Sequence, residues 1–162
     1  MDAKNPNLFY LYGPPASGKS TLLVYLALNC PDCTTIDLEA LHDGADRAAF
    51  PQLLPSYRHQ NLVFVGAADV SPDSLPAGSK VIALIHSDVD GYLNRVSRRD
   101  AKKARNRNQN AAEHFLGIKE YLKYHPPFLT IDPLEYEGRF DELALAVLAK
   151  AREASVKDPE NA

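Results

Sequence analysis

The 162-residue chain lacks any apolar run approaching the ~20 residues that a membrane span needs. Its opening, Met1-Asp2-Ala3-Lys4-Asn5-Pro6, lacks the apolar stretch of a signal peptide. No membrane partner is expected, and the expected location is cytoplasmic. Cysteine is scarce, with only Cys30 and Cys33 in the arrangement Cys30-Pro31-Asp32-Cys33. A four-ligand zinc site would need two more ligands, and no second C-x-x-C or H-x-x-x-H supplies them. A redox C-x-x-C draws its low thiol pKa from a helix N-terminus, whereas this pair follows the first expected helix, near its negative end. It reads as a structural turn without assigned chemistry. Repeats and low-complexity tracts are also missing. Hydrophobic content of 45% and charged content of 24% are ordinary for a globular protein. One domain over 1–155 with a loose polar tail, 156–162, is the expectation.

What is present is concentrated in "LYGPPASGKSTLL", residues 11 to 23. Gly13, four intervening residues, then Gly18-Lys19-Ser20 is the G-x-x-x-x-G-K-[ST] spacing of a phosphate-binding P-loop. The glycines let successive backbone N–H groups turn toward one anion, and the next helix start adds unpaired donors and a positive dipole end. Apolar runs on both sides, Leu8 to Tyr12 and Leu22 to Leu26, supply the strand and helix that the motif requires. The expected nucleotide contacts are Gly13, Pro14, Pro15, Ala16, Ser17, Gly18, Lys19, Ser20 and Thr21. Lys19 would reach the β- and γ-phosphates, and the Ser20 hydroxyl would hold Mg²⁺. ATP and Mg²⁺ are the expected cofactors.

Net charge is −3, but the balance is uneven. "RVSRRDAKKARNR", 95 to 107, holds seven basic residues and one acid, leaving a net −9 on the remainder. Such a cluster is either a solvated helix face or the counterpart of a polyanion.

Strands are expected at 7–12, 34–37, 61–66, 81–85 and 128–131, and helices at 19–29, 88–99, around 115–122 and from 140 onward, with a weakly helical segment at 45–59. Alternating buried strands and helices imply an α/β three-layer sandwich around a five-stranded parallel sheet. Ligands of such sheets sit at the strands' carboxyl ends, where Asp37, Gly66, Asp88 and Asp132 would gather. Asp88 reads as the cap of the 88–99 helix, and Asp37 as either a cap or an acid serving chemistry.

The order of these parts resembles the small P-loop kinases: nucleoside monophosphate kinases, shikimate kinase and gluconate kinase. "GPPASGKSTLLVYLA" looks like their phosphate loop and first helix. "IALIHSDVDGYLNRVSRR" is similar to their fourth strand, helix and lid entry. "FLTIDP" followed by "FDELALAVLAKA" looks like their fifth strand, adenine-side loop and closing helix. The resemblance implies a P-loop kinase-like fold and transfer of the γ-phosphate of Mg-ATP to a nucleoside monophosphate or hydroxylated metabolite. It also implies an arginine-rich lid at about 98–107, with Arg98, Arg99 or Arg105 on the moving phosphoryl group, and Pro133 beside the nucleotide with Arg98. Asp37 first and Glu39 second would take the acceptor's proton or hold the metal, making Lys19, Asp37, Arg98 and Arg99 the catalytic set and Ser20 and Asp37 the metal set. Compared with shikimate kinase, "FVGAA" (64–68) has one glycine where that family has three, and only Arg47 and Arg58 could meet an acceptor carboxylate. Two other classes stay open: a nucleic-acid-linked ATPase of AAA+ or helicase type gripping its substrate through 95–107, and a polynucleotide kinase or nucleotide-binding regulator. Against the former, the third strand ends at Gly66 and the next acid is Asp69. Oligomeric state is left open.

Overall fold

A computed structural model describes residues 7–14, 17–38, 62–67, 71–100 and 108–156, with backbone alone at 97–100, 108–111 and 156. The expectations on Pro15, Ala16, Glu39, Arg47, Arg58, Asp69, Arg105, the 45–59 segment and 157–162 lie outside these residues. So do the side chains of Arg98 and Arg99.

Five strands form one parallel sheet: β1 (Leu8–Tyr12), β2 (Thr34–Asp37), β3 (Val63–Ala67), β4 (Lys80–Leu84) and β5 (Leu129–Ile131). Their order is β2-β3-β1-β4-β5. β1 is central because its residues are apolar on both faces, a condition only a doubly covered strand satisfies. Phe9 and Leu11 point to one layer, where α1 (Lys19–Asn29) and α4 (Phe140–Val156) bring Leu22, Leu26, Leu143, Val147 and Leu148 against them. Leu8 and Tyr10 point to the opposite layer and pack with Val63 and Val65. On that side α2 (Val89–Asp100) and α3 (Asn108–Tyr124) contribute Tyr92, Val96, Phe115 and Ile118. At about 1.5–3 kcal/mol for each large apolar side chain removed from water, these layers outweigh any single cap or ion pair. The two described salt bridges, Lys123–Glu120 and Arg139–Glu142, are exposed i,i+3 pairs that add little. No helix among the described residues is long and apolar enough to cross a membrane.

Some element boundaries differ from expectation. α3 starts at Asn108 rather than near Phe115, α4 runs through Val156, and β3 is Val63–Ala67. Arg98 and Arg99 belong to the last turn of α2, so the expected lid region begins inside a helix. Cys30 and Cys33 form the expected turn, with the Cys33 N–H donating to the Cys30 carbonyl at 3.0 Å. The two sulfurs are joined in a disulfide across that turn, a covalent link the reading as a turn did not include.

Candidate functional site

Parallel pairing aligns the strand ends. Tyr12 pairs with Ala67, Asp37 with Gly66, and Leu84 with Ile131. The phosphate-loop residues therefore leave β1 at the edge where every other strand also stops. Gly13 must be glycine here: a Cβ would stand 2.2 Å from the Leu84 carbonyl oxygen of β4. Gly18 adopts φ +99°, which a side chain would strain, and a Cβ there would meet the Phe140 ring at 2.9 Å.

Two other helical starts on this edge are closed by side chains. Asp88 accepts from the Gly91 N–H at 2.6 Å and caps α2, and Asp132 accepts from the Leu134 N–H at 3.0 Å. α1 begins with no side-chain cap, so its first-turn N–H groups keep their capacity for an anion. Lys19 is buried, and its Nζ donates to the carbonyls of Gly13 at 2.7 Å and Pro14 at 2.9 Å, with Ser17 Oγ at 3.4 Å. An ammonium removed from water survives only with partners, and the loop provides them. Ser20 and Thr21 stand exposed on the first turn of α1. The arrangement fits a triphosphate: a cation on a short tether, an uncapped helix start, and a backbone too close to β4 for any side chain at Gly13.

Asp37 ends β2 opposite Gly66. A Cβ on Gly66 would be 3.7 Å from Lys19 Cβ, so β3 runs directly beneath the lysine and Asp37 lies one strand away, about 4.8 Å along the sheet. The fold thus brings Asp37 and the Lys19–Ser20 turn to one edge. Pro133 is buried at the start of a 3-10 turn, Pro133–Tyr136, whose capping Asp132 also accepts from the Ser87 N–H at 3.2 Å. Burial would raise the Asp132 pKa, but bonds from Ser87 and the Leu134 backbone overcome it and hold the carboxyl below its usual range. Asp132 is therefore a clamp between the β4 and β5 exits.

Three groups escaped the sequence reading. Arg95 is one: its Nη2 lies 3.9 Å from where a Gly18 Cβ would stand, closer to the loop than its position at the start of the basic run suggested. The signal available was helical spacing, since Arg95 and Arg99 are one turn apart on α2. His86 is fully buried at the β4 exit, 5.5 Å from the Tyr92 ring centroid. Neither ring nitrogen has a hydrogen-bond partner among the described residues. Burial first, then Arg95, lowers its pKa, against the opposing pull of Asp132, Asp88 and Glu137. His114 on α3 is half-buried, and burial followed by the Lys19 charge lowers its pKa too. Further along α3, Tyr121 sits edge-on to Tyr12 at 5.7 Å and donates to Asp73 Oδ1 at 2.8 Å. Burial and that bond push its hydroxyl up to about 12.

No family model and no curated protein matches the sequence. Solved structures do. Shikimate kinase from Acinetobacter baumannii in complex with shikimate aligns over 88% of this chain and 90% of that one, with a TM-score of 0.57 at 19% identity. A gluconokinase from Sinorhizobium meliloti 1021 aligns over 98% and 96%, with a TM-score of 0.56 at 14% identity. At such identities the likeness concerns architecture. This chain has the α/β fold of the small P-loop kinases.

Proposed function

We propose that the protein is an ATP-dependent phosphotransferase that moves the γ-phosphate of Mg-ATP to a small acceptor, a nucleoside monophosphate or a hydroxylated metabolite. The observation that carries this reading is the buried Lys19 ammonium held by the Gly13 and Pro14 carbonyls, beneath an uncapped α1 and beside Arg95. Phosphoryl transfer asks mainly for positioning and charge neutralisation, and these residues supply both.

Mg-ATP would bring the transferable phosphoryl group and a divalent cation. Lys19 would trade loop carbonyls for phosphate oxygens, and the exposed Ser20 hydroxyl is the loop's direct donor for the cation. Arg95 would add a planar fork of donors from the α2 side, with Arg98 and Arg99 in the following turn as further candidates. Asp37 would hold or receive the acceptor's proton. Pro133 and its 3-10 turn would border the nucleotide. The resemblance to kinases that act on small polyhydroxylated acids supports this acceptor class. The ATPase reading draws less support, because β3 ends at Gly66-Ala67 rather than on paired acids that polarise water.

A panel of nucleoside monophosphates, small hydroxylated acids and 5′-hydroxyl oligonucleotides with Mg-ATP tests the proposal. One small acceptor should give a phosphorylated product with ADP release at roughly 1–100 per second. ATP hydrolysis stimulated by nucleic acid with no phosphorylated product would overturn it in favour of a motor.

A further inference from the structure

Cys30 and Cys33 sit where two functional elements meet. Cys30 closes α1, its N–H donating to the Leu26 carbonyl at 2.9 Å. Thr34, immediately after Cys33, opens β2 with its N–H donating to the Leu62 carbonyl at 2.9 Å. The disulfide therefore ties the far end of the helix that begins with Lys19 and Ser20 to the near end of the strand that finishes in Asp37. Among the described strands β2 pairs with β3 alone, so it is an edge strand of the sheet, and the disulfide is the covalent link between its start and the end of α1.

Two features separate this bridge from a static staple. Access is asymmetric: Cys30 is 6% exposed, whereas Cys33 is only half-buried at the edge of the same core cluster, which makes it the more accessible of the two residues. Charge is asymmetric too. Arg152 of α4, distant in sequence, places its Nη2 3.6 Å from Cys30 Sγ. The C-terminal end of α1 by itself disfavours a thiolate, and the guanidinium opposes that effect at the sulfur that would leave. A leaving thiol of lower pKa departs faster, so the better-supported leaving group and the more accessible target lie on the correct sulfurs for one direction of attack.

We propose that Cys30–Cys33 is a reversible dithiol–disulfide site, reduced by dithiols through Cys33, whose state sets the tether between α1 and β2. A thiolate of the dithiol attacks Cys33 Sγ. The Cys33–Cys30 bond breaks, and Cys30 leaves as a thiolate against Arg152. The reductant's second thiolate then attacks the reductant sulfur of the mixed disulfide and releases Cys33. Two electrons pass to the protein, the reductant ends as its own disulfide, and its two protons go to Cys33 and to Cys30 or solvent. Once open, the turn keeps the Cys33 N–H bond to the Cys30 carbonyl, and Thr34 to Asp37, still paired with β3, lose their covalent brace. The redox site stands independently of phosphotransfer, while an effect on turnover through Asp37 rests on that reading.

The full chain, purified in air, is equilibrated in graded mixtures of oxidised and reduced dithiothreitol. Its thiols are counted after denaturation, and hydrogen exchange is followed over 34–37. Expected are no thiols at first, two after reduction, loss of both on reoxidation, and at least tenfold faster exchange of 34–37 in the reduced protein. Arg152→Ala should be reduced several-fold more slowly than wild type, with Arg152→Lys partly restoring the rate. Two free thiols in the oxidised buffer, a bond that reacts only after denaturation, or unchanged exchange on reduction would each overturn the proposal. A wild-type rate in Arg152→Ala would overturn the part given to Arg152. None of these readouts involves ATP, so a failure to find phosphotransfer would leave their outcome unchanged.

Discussion

Replacing Lys19 with Met separates what the lysine does for the fold from what it does for a phosphate. The ammonium is 4% exposed and makes two short bonds to backbone carbonyls. Lys19→Met removes the charge but keeps most of the apolar stem packed near Gly66. For folding, two effects oppose each other. The Gly13 and Pro14 carbonyls lose a donor, at about 1–3 kcal/mol each if they stay dry, while the cost of burying an ammonium disappears. The net change should stay within about 2 kcal/mol, or roughly 8 °C in Tm for a domain of this size. For binding nothing compensates. Losing a charged hydrogen bond of about 1.5–3 kcal/mol weakens Mg-ATP about 10- to 150-fold. Charge developing in the transition state is lost as well, so turnover should fall a further ~10²–10³-fold. Isothermal titration with a non-hydrolysable analogue, a coupled ADP assay and calorimetric unfolding measure the three quantities separately. A variant with wild-type affinity and wild-type turnover would refute the assignment of this loop to phosphate.

Ser20→Ala should raise the Mg²⁺ concentration needed for half-maximal activity at least tenfold while leaving Tm within ~2 °C, since the hydroxyl is exposed; an unchanged magnesium titration counts against it as a metal ligand. Arg95→Gln should weaken a fluorescent ATP analogue about 10- to 100-fold with little change in stability, because the guanidinium lies beside Gly18 rather than in the core; equal binding would remove Arg95 from the site. His86, with its pKa lowered by burial, binds a proton less readily folded than unfolded. Stability is then retained above pH ~6.5 and lost as pH falls from there through the lower folded value. Thermal unfolding of His86→Phe and wild type between pH 7.5 and 5 should show a smaller acid loss in the variant; parallel curves would mean that His86 does not titrate there.

The sequence by itself determined the sheet and its phosphate loop. The three inner strands, β1, β3 and β4, were readable because each is a short, largely apolar run between turn formers, as a strand covered on both faces requires, while the half-buried β2 (TTID) and β5 (LTI) were read from β-branched residues beside turn formers. The loop was readable because its motif is local: Gly13, Gly18, Lys19 and Ser20 all lie in one strand–helix connection, so their spacing in sequence sets their spacing in space. Asp88 as a helix cap was legible for the same reason, its partner being three residues away.

Whatever depended on distant segments meeting was decided only by the tertiary structure. Arg95 looked like the edge of a charge run until α2 packed on the sheet and turned its guanidinium toward Gly18. His86 and His114 carry no pattern of their own, and only packing buries one beside Tyr92 and half-buries the other on α3. The cysteine pair shows the limit best. Local spacing put it at the negative end of a helix, which argued against chemistry, and that local fact is correct. What opposes it is Arg152, brought to Cys30 by the packing of α4 on α1. Electrostatics acts through space, so a residue's charge environment cannot be read from its neighbours in the chain alone.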